Sequence, residues 1–321
     1  MSDNLSKTLI EHIKPGGTIV IGVSGGSDSM YLLHQCLTLR QQVPFTIIVA
    51  HINHGLRGKE SDKDELFVKA FAKKFMLICE SKKLKPLHKG NLEEMCRKAR
   101  YIFLEKVRAK YHAQWILTAH HLQDNIETVL FNLVRGSFLN GCKGIEMVSK
   151  KRHRLRPMLK LSKEEILSYL KKNHLTYRTD KTNLDIRFSR NLLRHKVIPQ
   201  LQKINSNFTE TFTKNIINLQ EAAEFMENYS TQWLTENAPK SLIPLLPFVK
   251  LPPIIQKTIL ATVYKNLYGN TNKFNQKHLE QLLHIIHLGK ANLRKEFGEK
   301  HFIVIKKNPQ NNKKYLQVEA G

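Results

Sequence analysis

A glycine-rich loop, Ser-Gly-Gly-Ser-Asp-Ser, occupies residues 24–29 and has the composition of an anion-binding turn. It follows Thr18–Val23, an apolar run typical of a buried strand, and it precedes Met30–Leu37, an apolar stretch typical of a helix. A loop between a strand and a helix leaves backbone N–H groups free to bind a phosphate. The loop is not a Walker A motif, because no lysine follows its glycines. We therefore predict a phosphate site of another kind, with an ordinary strand–helix turn as the alternative.

A second polar group follows the next predicted strand, in the segment His-Ile-Asn-His-Gly-Leu-Arg at residues 51–57. Imidazole, amide and guanidinium groups can all hydrogen-bond a base, a ribose or a phosphate. If the loop binds the phosphates of a nucleotide, His51, Asn53 and Arg57 are placed to contact the rest of it. Two histidines three residues apart also suggest a metal site, but no third ligand accompanies them. Polar residues that only stabilise a turn are the other interpretation.

Two carboxylates and a histidine form a third group, in residues 118–128 after the last strand predicted in this half. If the segment is helical, His120, Asp124 and Glu127 lie on one face, because they are three and four residues apart. Such a set is suited to holding Mg²⁺ or to binding the ammonium group of an amine substrate. Acidic residues in a first helical turn also complement the helix dipole without any further role, so both interpretations stay open.

The positive charge of the chain is concentrated after these groups. The chain carries 52 Lys and Arg against 27 Asp and Glu, a net charge of +25, and residues 141–203 alone hold 17 basic and 5 acidic side chains, a net of +12. Such an excess favours a polyanionic partner, with nucleic acid ahead of an anionic membrane. A solvated lysine-rich surface is the alternative. The residues expected to contact nucleic-acid phosphates are Lys150, Lys151, Arg152, Arg154, Arg190 and Arg194.

Apolar runs alternate with helical patterns in the first half, which predicts an α/β fold with a doubly wound, mostly parallel sheet. The predicted strands are Thr18–Val23, Phe45–Ala50, Met76–Cys79 and Trp115–Ala119. Ligands of such sheets lie at the carboxyl ends of the strands, where all three polar groups are found. A long helix, a proline-rich linker at 239–253, two further helices and a hairpin are predicted after residue 208. We expect an α/β domain at 1–208 and a smaller, mainly helical domain at 209–321.

Composition also bears on location. No run of about 18 apolar residues is present, so we expect no membrane span. The N-terminal residues lack the basic-then-apolar order of a secretion signal. The cysteines, at positions 36, 79, 96 and 142, show no Cys-x-x-Cys spacing and are typical of thiols in a reducing cytosol. We therefore expect a cytoplasmic protein.

The order of these segments resembles a known enzyme family. Ser-Gly-Gly-x-Asp-Ser is similar to the PP-loop of the N-type ATP pyrophosphatases, which hold the pyrophosphate of ATP while a nucleophile attacks the α-phosphorus. His-x-Asn-His-x-Leu-Arg, Ala99-Arg100, Ala-His-His with a following Asp and Glu-Thr, Arg-Pro, and Arg-Asn-x-x-Arg then occur in the order of tRNA(Ile)-lysidine synthetases. The resemblance covers roughly residues 16–202. That family usually has two consecutive aspartates after His-His, and the first is replaced here by Gln123.

The resemblance implies an activity and a set of roles. ATP would adenylate O2 of the wobble cytidine of tRNA(Ile) with anticodon CAU, and L-lysine would attack C2, giving lysidine, AMP and pyrophosphate. Asp28 would assist Mg²⁺ or the loop geometry, the C-terminal domain would bind tRNA, and a homodimer is possible. The residues that would bind the phosphates of ATP are Ser24, Gly25, Gly26, Ser27, Asp28 and Ser29. The residues that would surround lysine and the reacting base are Arg100, His120, Asp124 and Glu127.

Two other functions compete with this one. A tRNA thiolase on the same fold would need cysteine pairs for sulfur transfer or for an iron–sulfur cluster, and the sequence has no Cys-x-x-Cys. A non-catalytic RNA-binding protein would use the positive charge alone, and such a protein does not require the glycine-rich loop. Release of pyrophosphate from ATP that depends on tRNA separates an enzyme from a binding module.

Overall fold

A computed structural model of the chain shows two compact units. Unit 1 comprises Met1–Thr128 with Ile145–Gln200, and unit 2 comprises Val129–Gly144 with Leu201–Gly321. The chain therefore enters the second unit twice. The residues that the structure describes are 3–84, 92–137, 139–179, 185–186, 188–238, 242–269, 274 and 276–320.

Helices and strands alternate through unit 1 and are followed by a helix-rich segment with a second sheet. The helices are α1 (Asp3–His12), α2 (Ser27–Arg40), α3 (Lys59–Lys74), α4 (Leu92–Lys110), α5 (Leu122–Val134), α6 (Leu139–Cys142), α7 (Lys163–Lys172), α8 (Ser189–Leu192), α9 (Ile198–Ile204), α10 (Phe208–Asn237), α11 (Leu245–Val249), α12 (Pro253–Tyr268) and α13 (Gln276–Leu288). The strands are β1 (Thr18–Gly22), β2 (Thr46–Asn53), β3 (Ile78–Lys83), β4 (Trp115–Leu117), β5 (Val148–Ser149), β6 (Arg154–Leu155), β7 (Ile243–Pro244), β8 (Arg294–Glu296), β9 (His301–Lys307) and β10 (Lys314–Ala320). Across the described residues, none of the helices is both long and apolar enough to cross a membrane.

Unit 1 is built on a six-stranded sheet in the order β3-β2-β1-β4-β6-β5. Strand β1 pairs in parallel with β2 and with β4, so that Ile19 lies between Ile47 on one side and Trp115 on the other. Strand β2 pairs in parallel with β3, and β4 with β6. The edge strand β5 runs antiparallel to β6. The predicted α/β fold with a mostly parallel sheet is confirmed.

Helices cover both faces of this sheet, because successive side chains of a strand point to opposite faces. In β1, Ile19 and Ile21 pack with α1, α2 and α7, whereas Val20 packs with Phe103 and Leu104 of α4 on the other face. All three strand residues are fully buried. A strand that is buried on both faces has a continuous apolar sequence rather than an alternating one, and this explains why β1 could be recognised from sequence.

Helix α7 packs along α2 and begins beside the glycine-rich loop. The rings of Tyr169 in α7 and Tyr31 in α2 make an edge contact, with centroids 5.0 Å apart. The start of α7 is fixed by a capping box, in which Ser162 Oγ accepts a hydrogen bond from the Glu165 N–H and Glu165 Oε2 accepts one from the Ser162 N–H. The first residue of the helix, Lys163, is thereby held at a defined position.

Unit 2 combines helices with a four-stranded sheet in the order β7-β10-β9-β8. The predicted hairpin is confirmed as the antiparallel pair β9–β10, and β7 and β8 extend it on either side. Phe248 and Phe297 are fully buried in a core that α12 and α13 share. The prediction of an irregular linker at 239–253 was wrong for residues 243–249, which form β7 and α11, because Ile243 and Phe248 supply apolar side chains to this core.

Candidate active site

The glycine-rich loop leads directly into the N-terminus of α2, as the sequence predicts. Gly25 has a φ of +90°, a left-handed conformation that favours glycine. Ser29 Oγ accepts a hydrogen bond from the Ser24 N–H at 3.1 Å and donates to the Gly26 carbonyl at 3.0 Å, so the loop is held by its own serines. Gly26, the N-cap residue, provides no side-chain cap, which leaves the first N–H groups of α2 for a ligand such as a phosphate.

Asp28, in the first turn of α2, forms an ion pair with a lysine of another helix. Lys163 Nζ lies 2.5 Å from Asp28 Oδ1 and 2.8 Å from Ser27 Oγ. The sequence analysis missed this lysine. The spacing of Ser162 and Glu165 is a helix-start signal, but it does not reveal what the helix packs against. The fold therefore supplies a lysine to a loop whose own sequence has none.

Asp124 and Glu127 lie on one face of α5, and both contact Arg194. The prediction that His120 shares this helix face was wrong, because α5 begins at Leu122. Arg194 Nε and Nη2 donate to the two carboxylate oxygens of Glu127 at 2.6 and 2.9 Å, and Nη2 also lies 3.1 Å from Asp124 Oδ1. A bidentate contact of this kind is among the stronger ion pairs. The structure thus brings the two predicted carboxylates together, and it engages with them an arginine that the sequence assigned to tRNA phosphates.

The imidazole of His121 connects the carboxylates of α5 to the loop. Its Nε2 lies 3.7 Å from Asp28 Oδ2 and 3.5 Å from Asp124 Oδ2. Its Nδ1 lies 3.2 Å from Gln123 Oε1, and the same oxygen accepts the backbone N–H of Lys163 at 3.0 Å. The sequence analysis included His121 in a motif but gave it no role. Asp28, which follows β1, and Asp124, which follows β4, therefore both lie close to His121 Nε2 at the carboxyl edge of the sheet.

Burial and charge shift the ionisation of these groups in different directions. Burial raises the pKa of Glu127, and its contacts with Arg194 oppose this effect only in part. Burial acts on Asp124 in the same direction, but interactions with His121, His120 and Arg194, together with the hydrogen bond from the His121 backbone N–H, outweigh it and lower the pKa of Asp124. Burial also lowers the pKa of His120 to about 3, so its ring is neutral at pH 7.

The end of β2 and the turn that follows it combine hydrogen-bonded side chains with buried ring nitrogens that have no partner among the described residues. Both ends of the Asn53 side chain, which was predicted to contact a nucleotide, are engaged within the protein. Its Oδ1 accepts the Gly55 N–H at 2.9 Å, and its Nδ2 donates to Asp62 Oδ1 at 2.8 Å and to Glu65 Oε2 at 3.0 Å. His51 Nδ1 donates to the carbonyl of Val23 at 2.8 Å. His51 Nε2 and both ring nitrogens of His54 are buried with no hydrogen-bond partner among the described residues. Buried polar atoms are normally hydrogen-bonded, so these nitrogens fit a site that a ligand completes.

Two arginines share the carboxylate of Asp64 in α3, and one of them, Arg178, also bonds to the glycine-rich loop. Arg57 Nη2 lies 2.5 Å from Asp64 Oδ2, and Arg178 Nε lies 2.9 Å from Asp64 Oδ1. The backbone N–H of Arg178 donates to the Gly25 carbonyl at 2.9 Å. Arg57, which the sequence analysis assigned to the nucleotide, is engaged with the same carboxylate as the arginine that holds the loop.

The other basic residues are spread over unit 1. Arg154 lies over the ring of Tyr101, with its guanidinium carbon 3.6 Å from the ring centroid, and Arg190 lies on α8. Arg100 is an exposed residue of α4 whose charge contributes to a lowered pKa of His54.

Because β6 runs parallel to β4, the turn before β6 lies at the amino edge of the sheet, away from the glycine-rich loop. This exposed turn consists of Lys150, Lys151 and Arg152.

A magnesium ion with few protein ligands is compatible with this site. Within the described ranges, no three His, Cys, Asp or Glu side chains are grouped as a metal site. Mg²⁺ bound to a nucleotide usually takes one or two carboxylates, and phosphate oxygens and water complete its shell. Asp28, which lies in the loop itself, fits that donor set as one ligand.

The fold and this edge of the sheet define a phosphate-binding α/β domain of the PP-loop type. Residues 2–201 match the PP-loop domain family, and the chain belongs to that family. Curated relatives are more specific. A tRNA(Ile)-lysidine synthase of Bacillus subtilis is 34% identical over 281 residues, which are 84% of this chain and 59% of the relative. One of Clostridium tetani is 33% identical over 283 residues, which are 85% of this chain and 60% of the relative. The chain thus spans about three fifths of the length of these relatives.

A solved structure supports the fold independently. The U34-tRNA thiolase NcsA from Methanococcus maripaludis, solved with its iron–sulfur cluster, aligns with a TM-score of 0.57. The aligned part covers 68% of this chain and 76% of the thiolase, at 19% sequence identity. Similarity at this level of identity shows a shared fold and says nothing about a shared reaction.

Proposed function

We propose that this chain is an ATP-dependent ligase that joins L-lysine to C2 of the wobble cytidine of tRNA(Ile) with anticodon CAU. The observation that supports this best is the meeting of the PP-loop with the carboxylates Asp124 and Glu127, in a chain that is 34% identical to a tRNA(Ile)-lysidine synthase. The product, lysidine, would change the codon that the tRNA decodes from AUG to AUA.

The first step would be adenylation of the tRNA. O2 of the cytidine attacks the α-phosphorus of ATP, the bond between the α-phosphorus and the bridging oxygen breaks, and pyrophosphate leaves. The N-terminus of α2 and the backbone of the loop would hold the phosphates, because they present N–H groups and a positive dipole. Mg²⁺, with Asp28 as a ligand, would neutralise charge on the phosphates.

The second step would be attack by lysine. Its amine forms a bond to C2, the bond between C2 and O2 breaks, and AMP leaves. Asp124 and Glu127 are suited to bind the ammonium group and to accept the proton that it must lose before it attacks. Arg194 would orient both carboxylates, and the neutral ring of His120 can hydrogen-bond the base without adding a positive charge beside the amine.

Two domains would divide the work. We assign the binding of ATP and lysine to residues 1–208. We assign much of the tRNA contact to residues 209–321 together with the exposed basic turn at residues 150–152. The net charge of +25 supports a polyanionic partner. A cytoplasmic location fits a tRNA substrate, and the homodimer stays a prediction.

The proposal is tested by incubating the protein with ATP, Mg²⁺, labelled lysine and a tRNA(Ile) transcript with anticodon CAU, then digesting the tRNA to nucleosides. We expect labelled lysidine, and we expect none from a matched transcript in which the wobble cytidine is replaced by uridine. Without lysine, label from α-³²P ATP should accumulate on the tRNA. Absence of both products from a protein that binds ATP would contradict the proposal.

No observation favours a thiolase. Iron–sulfur clusters are held by cysteine thiolates. The four cysteines are separated by at least 16 residues in sequence, and burial raises the pKa of Cys36, which makes its thiolate form less accessible. Among the described residues, no metal-binding group that includes cysteine is present.

A further inference from the structure

We infer that Lys163 is the phosphate-binding cation of this PP-loop and that Gln123 positions it. The inference rests on the ATP site of the proposed function and names a residue of that site. The Nζ atom of Lys163 lies within hydrogen-bond distance of two side chains of the loop, Ser27 and Asp28. Lys163 belongs to α7 and Gln123 to α5, so neither residue is part of the loop sequence.

The loop needs a cation that its sequence does not provide. A helix N-terminus carries the equivalent of about half a positive charge, whereas the triphosphate of ATP carries several negative charges. Walker A loops meet this demand with a lysine within the motif, and residues 24–29 contain none. The side chain of Lys163 is 32% exposed, so it is not enclosed in the core, and its Nζ lies at the loop beside Ser27 and Asp28.

The contact with Asp28 is compatible with this role. A lysine ammonium has three N–H donors on a flexible four-carbon stem. It can therefore keep one bond to the loop while another N–H turns to a phosphate oxygen. Lys163 Nζ lies 2.5 Å from Asp28 Oδ1, and a phosphate bound at the loop would share this ammonium group with Asp28.

Gln123 fixes the start of α7 from α5. Its Oε1 accepts the backbone N–H of Lys163 at 3.0 Å, and its Nε2 lies 3.3 Å from Glu164 Oε2 and donates to it. An aspartate at position 123 would be one methylene shorter, would lack the amide donor, and would place a second negative charge beside Glu164. The glutamine that departs from the family pattern thus matches the way in which this chain holds Lys163.

The test measures binding of ATP, pyrophosphate and AMP to the full chain by calorimetry with Mg²⁺ present and without tRNA. Lys163→Met should weaken binding of ATP and pyrophosphate about 10- to 100-fold, the range expected when one charge-assisted hydrogen bond is lost. AMP should lose about twofold or less, because its phosphate is not part of the pyrophosphate. Lys163→Arg should retain most of the affinity. Lys171→Met, which removes an exposed lysine from the same helix, should behave as wild type.

Two results would overturn the inference. If Lys163→Met binds ATP and pyrophosphate as tightly as wild type, Lys163 is only the counter-ion of Asp28. If wild type binds neither ligand, the proposed function fails as well, so the two failures are distinguishable. Thermal unfolding confirms that each variant is folded, and Lys163→Gln replaces the methionine variant if that one is not.

A double-mutant cycle tests the role of Gln123. Gln123→Ala should weaken ATP and pyrophosphate binding by a smaller factor than Lys163→Met, and it should cause no further loss when Lys163 is already methionine. A merely structural contribution of Gln123 would give losses that multiply in the double variant. Multiplied losses would therefore remove Gln123 from the inference and leave Lys163 as the phosphate-binding residue.

Discussion

At the scale of single residues, the charged groups at the carboxyl edge of the sheet are joined in one network. Arg194 contacts Asp124 and Glu127, and His121 lies between Asp124 and Asp28. Pairing with a fixed cation keeps a partly buried carboxylate ionised. The pKa of Asp124 is lowered although burial opposes the shift, and its interactions with His121 and His120 contribute more to this than Arg194 does. An ionised carboxylate is what recognition of an ammonium group requires.

Replacing Asp124 should affect lysine more than ATP. Asp124→Asn keeps the size of the side chain and removes its charge, and a charge-assisted hydrogen bond contributes about 1.5–3 kcal/mol, or roughly 10- to 150-fold in lysine use. Adenylated tRNA should still form and is measured with α-³²P ATP in the absence of lysine. Glu11→Gln, at a side chain that is 75% exposed on α1, is the control. Failure of Asp124→Asn to form adenylated tRNA at saturating Mg²⁺ would assign this residue to the metal instead.

Acid should destabilise the protein partly through His54. Burial, with smaller contributions from Arg100 and His51, lowers the pKa of His54 to about 4, against about 6.5 in an unfolded chain. Between these values the unfolded chain binds the proton more readily, so stability is lost as the pH falls through this window. His54→Gln should therefore lose less thermal stability than wild type between pH 7 and pH 5. Equal shifts of the two melting temperatures would contradict this account.

At the scale of elements, the site depends on where two helices begin. Helix α2 starts without a side-chain cap, whereas α7 starts with a complete capping box. The difference is physical, since a serine cap satisfies the N–H groups that a ligand would otherwise bind. An uncapped start is suited to receive phosphate, and a capped start is suited to hold Lys163 in place.

A side chain at Gly25 should abolish ATP binding. A Cβ there would lie 3.4 Å from Val68 and 3.5 Å from Phe67, and a φ of +90° is strained for valine. We expect Gly25→Val to lose ATP affinity while tRNA binding is retained, as measured by calorimetry and by filter binding. Gly16→Val is the matched control, because Gly16 also has a positive φ of +74° and lies outside the loop. Normal ATP affinity in folded Gly25→Val would refute the site.

At the scale of the whole molecule, each unit buries its own apolar side chains, and the chain carries a large excess of positive charge. In unit 1 the buried side chains pack on both faces of the parallel sheet, and in unit 2 they include Phe248 and Phe297. Residues 129–144 belong to the second unit, and within it Lys143 pairs with Glu227 of α10 at 2.9 Å. The net charge of +25 would attract a tRNA of any sequence, because this electrostatic attraction acts on the phosphate backbone.

The salt dependence of tRNA binding should reveal whether the exposed turn before β6 contributes. Replacing Lys150, Lys151 and Arg152 by glutamine should reduce the slope of log affinity against log salt by about 2–3, because each phosphate contact contributes about 0.7–0.9. Arg154 is left in place, since it packs on Tyr101. An unchanged slope would make the turn a solvated surface. The control is a variant with glutamine at two exposed lysines that end α3, Lys73 and Lys74.

The sequence by itself determined what depends on neighbouring residues. The order of strand, glycine-rich loop and helix at 18–37 is local, and a strand buried on both faces has a continuous apolar sequence, so the loop and the parallel sheet were predictable. The positions of Asp124 and Glu127 on one helix face follow from their spacing alone. The β9–β10 hairpin was also predictable, because its two strands are neighbours in sequence and are separated only by a turn.

Only the tertiary structure decided which charged groups meet. Arg194 reaches Glu127 across 67 residues of sequence, and Lys163 reaches Asp28 across 135. No periodicity encodes such contacts, because they depend on how α7 packs on α2 and on the strand order of the sheet. The same holds for residues 243–249, whose prolines suggest a linker although burial against a distant sheet makes them part of a core. Local patterns reveal which side chains face a site, whereas their partners are fixed by packing between segments far apart in the chain.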